Sequence, residues 1–97
     1  MNDAPESIDG AKVVLFALID QRCRHTGNCR QEVAGVAQGP AAGLAICQYG
    51  EEAGCYLLGC DAAWHCVTDT WHRTVDEAIS QAEFEYEGVR EAWRRNA

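Results

Sequence analysis

The sequence predicts a small α+β domain: an antiparallel sheet of four or five strands with a C-terminal α-helix packed on one face. Residues 44–70 hold three short apolar segments joined by tight turns, and strands so connected run antiparallel because parallel neighbours need a long crossover. Residues 74–93 place apolar side chains at three- and four-residue intervals behind a capping sequence, the pattern of one amphipathic helix. The chain's 97 residues fit one domain and leave no room for a second core. A hydrophobic fraction of 47% beside 24% charged residues excludes disorder for most of it.

Taken in order, residues 1–10 show no apolar periodicity and carry Asp3, Glu6 and Asp9. They read as a flexible N-terminal tail, with residues 11–97 as the domain. Residues 12–20 (KVVLFALID) are apolar on both faces and rich in β-branched side chains, which suits a central strand, although a short helix shares the pattern. Residues 21–30 (QRCRHTGNCR) are polar around Gly27-Asn28 and read as a loop. Weak alternation makes 31–37 a strand, ended by the breaker Gly39-Pro40. Residues 44–49 and 55–60 are strands around a connection with Gly50 and Gly54 at its ends. Residues 61–63 turn the chain into a last strand over 64–70.

The helix begins at Thr74-Val75-Asp76-Glu77, a capping box in which the Thr hydroxyl accepts from the third helical amide and Glu77 reaches back to the cap. Val75, Ala78, Ile79, Ala82, Tyr86, Val89 and Trp93 then form one apolar stripe. Gly88 either interrupts this helix or ends it before a second turn that packs in the same direction. Phe84 lies about 180° from the stripe, in the middle of an acidic face. It is either a singly exposed aromatic or the centre of a partner surface.

The stretch 56–89, YLLGCDAAWHCVTDTWHRTVDEAISQAEFEYEGV, resembles a group of short, uncharacterised bacterial proteins. Asp69-Thr70-Trp71-His72, read as a turn, and the Gln-Ala-Glu-Phe-Glu-Tyr-Glu-Gly helix of 81–88 carry the resemblance. It covers about a third of the chain and implies a compact α+β fold with nothing catalytic. Read from the residues alone, Trp71 is a plug above the helix start, with Asp69 satisfying turn amides. The competing reading makes Trp71 and His72 an exposed recognition edge.

Six cysteines in so short a chain suggest a disulfide framework, yet the acidic, polar start lacks the basic and apolar regions of an export signal. Reduced thiols in a cytoplasmic protein are the expectation. Cys47, Cys55, Cys60 and Cys66 lie in strand-like segments, where a free Cys packs as a small hydrophobe. Cys23, His25 and Cys29 make the one metal-like grouping, suited to zinc, although the paired spacing of common zinc sites is missing. The same loop thiols beside Arg22, Arg24 and Arg30 suit a redox pair. A thiol nucleophile near Cys66, with Asp69 and His72, is the enzymatic alternative; no nucleophile elbow or phosphate-cradling glycine loop is present.

A net charge of −7 disfavours nucleic acid, and no apolar run is long enough to span a membrane. The leading expectation is a non-catalytic protein-interaction module that forms a homodimer or binds a protein partner, without a cofactor. Its contacts are Phe84, Glu83 and Glu87 on the helix, Trp71 and His72 beside it, or an exposed sheet edge. Basic side chains at 22–30 and Arg90, Arg94 and Arg95, set against the acidic helix, read first as a solvated charged face, with antiparallel alignment of two copies as the alternative. A metal- or redox-responsive protein using Cys23, His25 and Cys29 is the second reading, and a small thiol enzyme the third.

Overall fold

The computed structural model describes residues 1–21, 23–26, 32–33, 36–37 and 40–95. The chain forms β1 (Ser7–Ile8), β2 (Ala11–Leu18), β3 (Arg24–His25), β4 (Glu32–Val33), β5 (Val36–Ala37), β6 (Gly43–Gln48), β7 (Cys55–Cys60) and β8 (Cys66–His72). Helix α1 (Val75–Glu85), β9 (Tyr86–Glu87), a 3-10 turn (Val89–Glu91) and β10 (Arg94–Arg95) complete it. The main sheet runs β1-β2-β6-β7-β8, antiparallel throughout, with β10 also paired to β2. The fold is α+β, with the helix on one face of the sheet.

Both faces of the sheet are covered, which explains the apolar character of β2, β6 and β7. On one face Val13, Phe16, Ala45, Cys47, Leu58 and Cys60 pack with Ala4, Ile8 and Trp64. On the other, Leu44, Ile46 and Leu57 pack against Ala78 and Ala82 of α1 and against Tyr86 and Val89 beyond it. Val13 and Phe16 share a face although three residues apart, because pairing with β6 shifts between Val13 and Leu15. Phe16, Ile46, Val13 and Val89 are each less than 2% exposed. Each such side chain contributes about 1.5–3 kcal/mol by leaving water. The centre of the sheet is β6 rather than β2, yet β2 is paired along both edges because β1 and β10 divide its outer side.

Several expectations need correction. Residues 1–10 are not a detached tail: Ser7–Ile8 pairs with β2, Ala4 and Ile8 are buried, and Asn2 O accepts from Trp64 Nε1 at 2.9 Å. The loop at 21–30 contains β3, which pairs with β9. The strand expected over 31–37 is instead two short strands, β4 and β5, paired with each other; residues 31, 34 and 35 lie outside the described set. The last main strand starts at Cys66, not at residue 64. Asp61 Oδ1 accepts the amides of Ala63 and His65, both at 2.9 Å, and this turn holds Trp64 at φ +64 with its ring in the core.

At the helix start, Thr74 Oγ1 accepts from the Glu77 amide at 3.1 Å, as the capping box requires. Glu77 Oε2 accepts from Arg73 N at 3.0 Å, one residue before the cap. The helix does not run through to Trp93. It ends at Glu85, Tyr86 turns extended to join β9, and Gly88 takes φ +97 before the 3-10 turn. Val89, Ala92 and Trp93 keep to the helix-side core, so the second-turn alternative is the one observed.

Candidate functional site: an open sheet edge

β8 is the last strand of the sheet, and no strand pairs with its outer side among the described residues. Its seven residues alternate half-buried and exposed, unlike the doubly covered strands before it. Thr68, Thr70 and His72 stand opposite Gly59, Leu57 and Cys55, the helix-side positions of β7. Thr70 Oγ1 and His72 Nε2 are 2.7 Å apart and share a hydrogen bond whose direction follows the imidazole tautomer. Val67, Asp69 and Trp71 are the exposed set, with Val67 40% and Trp71 54% exposed.

Trp71 is neither a turn residue nor a plug over the helix start. It stands opposite Tyr56 in the β7–β8 ladder, and Tyr56 meets Tyr49 edge-to-face with ring centroids 5.5 Å apart. A strip of three aromatics therefore runs out to the open edge. Gly54 makes room for it: at φ +86, a Cβ there would fall 2.6 Å from Trp71 Cζ2. Asp69 sits midway along β8 on the exposed side, a charge of the kind that discourages indiscriminate strand pairing.

The helix face expected to bind a partner is largely committed within the chain. Phe84 is 52% exposed, beside Asp76, Glu77, Ser80 and Gln81 in a shallow depression. Glu83, however, accepts the amides of Gly88 (2.7 Å) and Arg90 (3.0 Å) and so caps the 3-10 turn. Glu87 is held by Arg24 at 2.6 Å. Arg94 makes two hydrogen bonds to Asp3, at 3.0 and 3.2 Å, and lies over the Phe16 ring. Arg24 and Arg94 are thus spent on carboxylates of their own chain, which removes two cations from the expected attraction between copies.

The cysteine groupings fare differently. Cys23 is half-buried in the helix-side core, His25 stacks on Tyr86 at 5.1 Å, and Cys29 lies outside the described residues, as do Arg22 and Arg30. No group of three metal-donor side chains forms among the described residues. Cys66 packs in the core opposite the helix, whereas His72 stands on the helix side, roughly 20 Å along the strand. The structure does not bring them together. Burial pushes the Cys47 and Cys60 thiols up to about 12 and raises Cys55 and Cys66 as well, the reverse of nucleophile activation.

The alternation of polar Thr68 and Thr70 with exposed neighbours was the available sign of a strand open on one side; nothing local said that its edge was open too. No helix among the described residues is long and apolar enough to cross a membrane. No protein-family model matches the chain, and no curated protein or solved structure is significantly similar to it.

Proposed function

We propose that the chain is a non-catalytic, cytoplasmic protein-interaction module that takes an extended segment of another protein as an added strand along β8. The observation that carries this reading is the coincidence of a strand edge unpaired among the described residues with two exposed apolar side chains, Val67 and Trp71. In such recognition the main-chain ladder supplies affinity and alternate side chains supply specificity. Trp71 is the anchor, since a large aromatic braced against backbone loses little entropy on binding. A partner segment bearing Lys or Arg suits Asp69 and the net charge of −7. A second copy carries the same −7, and antiparallel self-pairing centred on Asp69 sets two carboxylates opposite each other, which is destabilising. Free thiols at Cys23, Cys47, Cys55, Cys60 and Cys66 support the reducing compartment.

Panning short extended peptides against the immobilised chain tests the reading, with Trp71→Ala and Phe84→Ala as paired variants. Enriched peptides should be basic, and Trp71→Ala should weaken them about tenfold or more while Phe84→Ala leaves them unchanged. Loss in Phe84→Ala alone would move the site to the helix and overturn the edge. Sedimentation of a wild-type dimer that Trp71→Ala dissociates would make the occupant a second copy.

A further inference from the structure

A cavity of about 300 Å³ lies between the helix side of the sheet and the end of α1, and reaches Val67 and Asp69 of β8. Leu44 and Leu57 give it an apolar floor, and Thr68 and Thr70 contribute two hydroxyl-bearing side chains. It exists partly because β7 carries Gly59 here: a Cβ at this position would lie 2.5 Å from Thr68 Oγ1. The Tyr86 ring closes one side, fixed by His25 stacked on it and by its hydroxyl, which accepts from Ala41 N at 2.8 Å. Glu85 lines the cavity from the last turn of the helix, is only 9% exposed, and is the one buried charged residue among those described. Its carboxylate accepts a hydrogen bond from Gln81 Nε2 at 2.9 Å and is paired with no cation among the described residues.

The lining is one-signed. Among the described residues, Asp61, Asp69 and Glu85 contribute to it and no Lys or Arg does, with His25 the only ionisable base. A buried carboxylate without a counter-ion is costly, and a cationic group placed beside it recovers that cost. Walls of one charge also concentrate ions of the opposite charge. The volume is at the small end for ligand pockets, which limits the occupant to a compact molecule.

We propose that this cavity binds a small organic amine, its ammonium group meeting Glu85 and the threonine hydroxyls and its apolar body resting on Leu44 and Leu57. The site adjoins the proposed edge and shares Val67 and Asp69 with it, but Glu85 and the enclosed volume are there whether or not a strand is added to β8. Three probes of one shape and different charge test it: cyclohexylmethylamine, cyclohexylmethanol and cyclohexanecarboxylate, each titrated into the labelled chain and followed by amide shifts. The amine should produce saturable shifts at Gly59, Thr68, Thr70 and Tyr86 and bind at least about tenfold more tightly than the alcohol or the carboxylate. Glu85→Gln, which keeps shape and a hydrogen-bonding oxygen, should erase the preference for amine over alcohol. Equal binding of all three probes by the wild type overturns the proposal, whether or not the variant folds. Amine shifts confined to Asp76, Glu77 and Phe84 also overturn it, as does an undiminished amine preference in Glu85→Gln.

Discussion

Replacing Glu83 by Ala removes a carboxylate that both oxygens commit to the turn after α1. The Gly88 amide loses an ionised acceptor at 2.7 Å in a part-buried setting, worth about 1.5 kcal/mol. The Arg90 amide, bonded at 3.0 Å but exposed, turns to water at a cost of about 0.5 kcal/mol. Alanine returns about 0.3 kcal/mol through its higher helix propensity. The net loss of about 1.7 kcal/mol lowers the melting temperature of a domain this size by about 8 °C. Glu83→Gln, which keeps one carbonyl oxygen, should fall between. Calorimetry reads the shift, and amide hydrogen exchange locates it. Gly88 and Arg90 should exchange faster, while Ala92, bonded to Val89 O at 2.8 Å, lags behind them. A melting temperature within about 2 °C of the wild type would refute the capping role and return Glu83 to the surface available for partners.

Other substitutions probe the opposite core and the titrating groups. Gly43→Ala places a Cβ 2.7 Å from Trp64 Cη2, against a ring fixed by its bond to Asn2 O and its edge contact with Phe16. A loss of about 1–3 kcal/mol in chemical denaturation is expected, and an unchanged midpoint would mean that the N-terminal residues do not hold Trp64. The Asp61 carboxyl is held below its ordinary value first by the His65 amide and then, with desolvation opposing, by the Ala63 amide and the His65 ring. Because its folded value is depressed, its contribution is full above the ordinary value and is lost as pH falls through the folded one. Asp61→Asn should flatten that acid limb, and a carbon-detected titration of Asp61 with its midpoint at or above the ordinary value sinks the argument. Cys47 and Cys60, with thiols pushed up to about 12, should resist a disulfide reagent at mildly alkaline pH until the chain is unfolded. Prompt reaction of either in the native protein contradicts their burial.

What was legible in the sequence was what short-range chemistry decides. Thr74 and Glu77 announced the helix start because a cap is made within four residues. The helix end was misleading for the opposite reason. Tyr86, Val89 and Trp93 keep helical spacing, but Tyr86 is drawn extended by β3, some sixty residues earlier in the chain. Trp64 read as a strand residue because its apolar character is visible and the Asp61 turn that sets its φ is not. Ala4 and Ile8 were too sparse to show a periodicity, although both reach the core. For the candidate site, exposed Trp71 was within reach of the sequence, as was exposed Phe84. That β8 lacks an outer neighbour among the described residues depends on strand order, and that Glu83 and Glu87 face their own chain depends on Gly88 and Arg24.

The division of β2's outer side between β1 and β10 bears on the order in which the protein acquires its structure. β1 reaches β2 across a tight turn and can close as soon as Ala11 and Lys12 exist. Leu15 and Phe16 wait for Arg95 and Arg94, nearly eighty residues later. A growing chain therefore builds β6, β7, β8 and the helix while its most apolar strand still has half an edge unpaired. Contacts so distant in sequence form slowly because ordering the intervening chain precedes their reward. In the nascent chain the edge at risk of unwanted pairing is the one that the finished fold conceals.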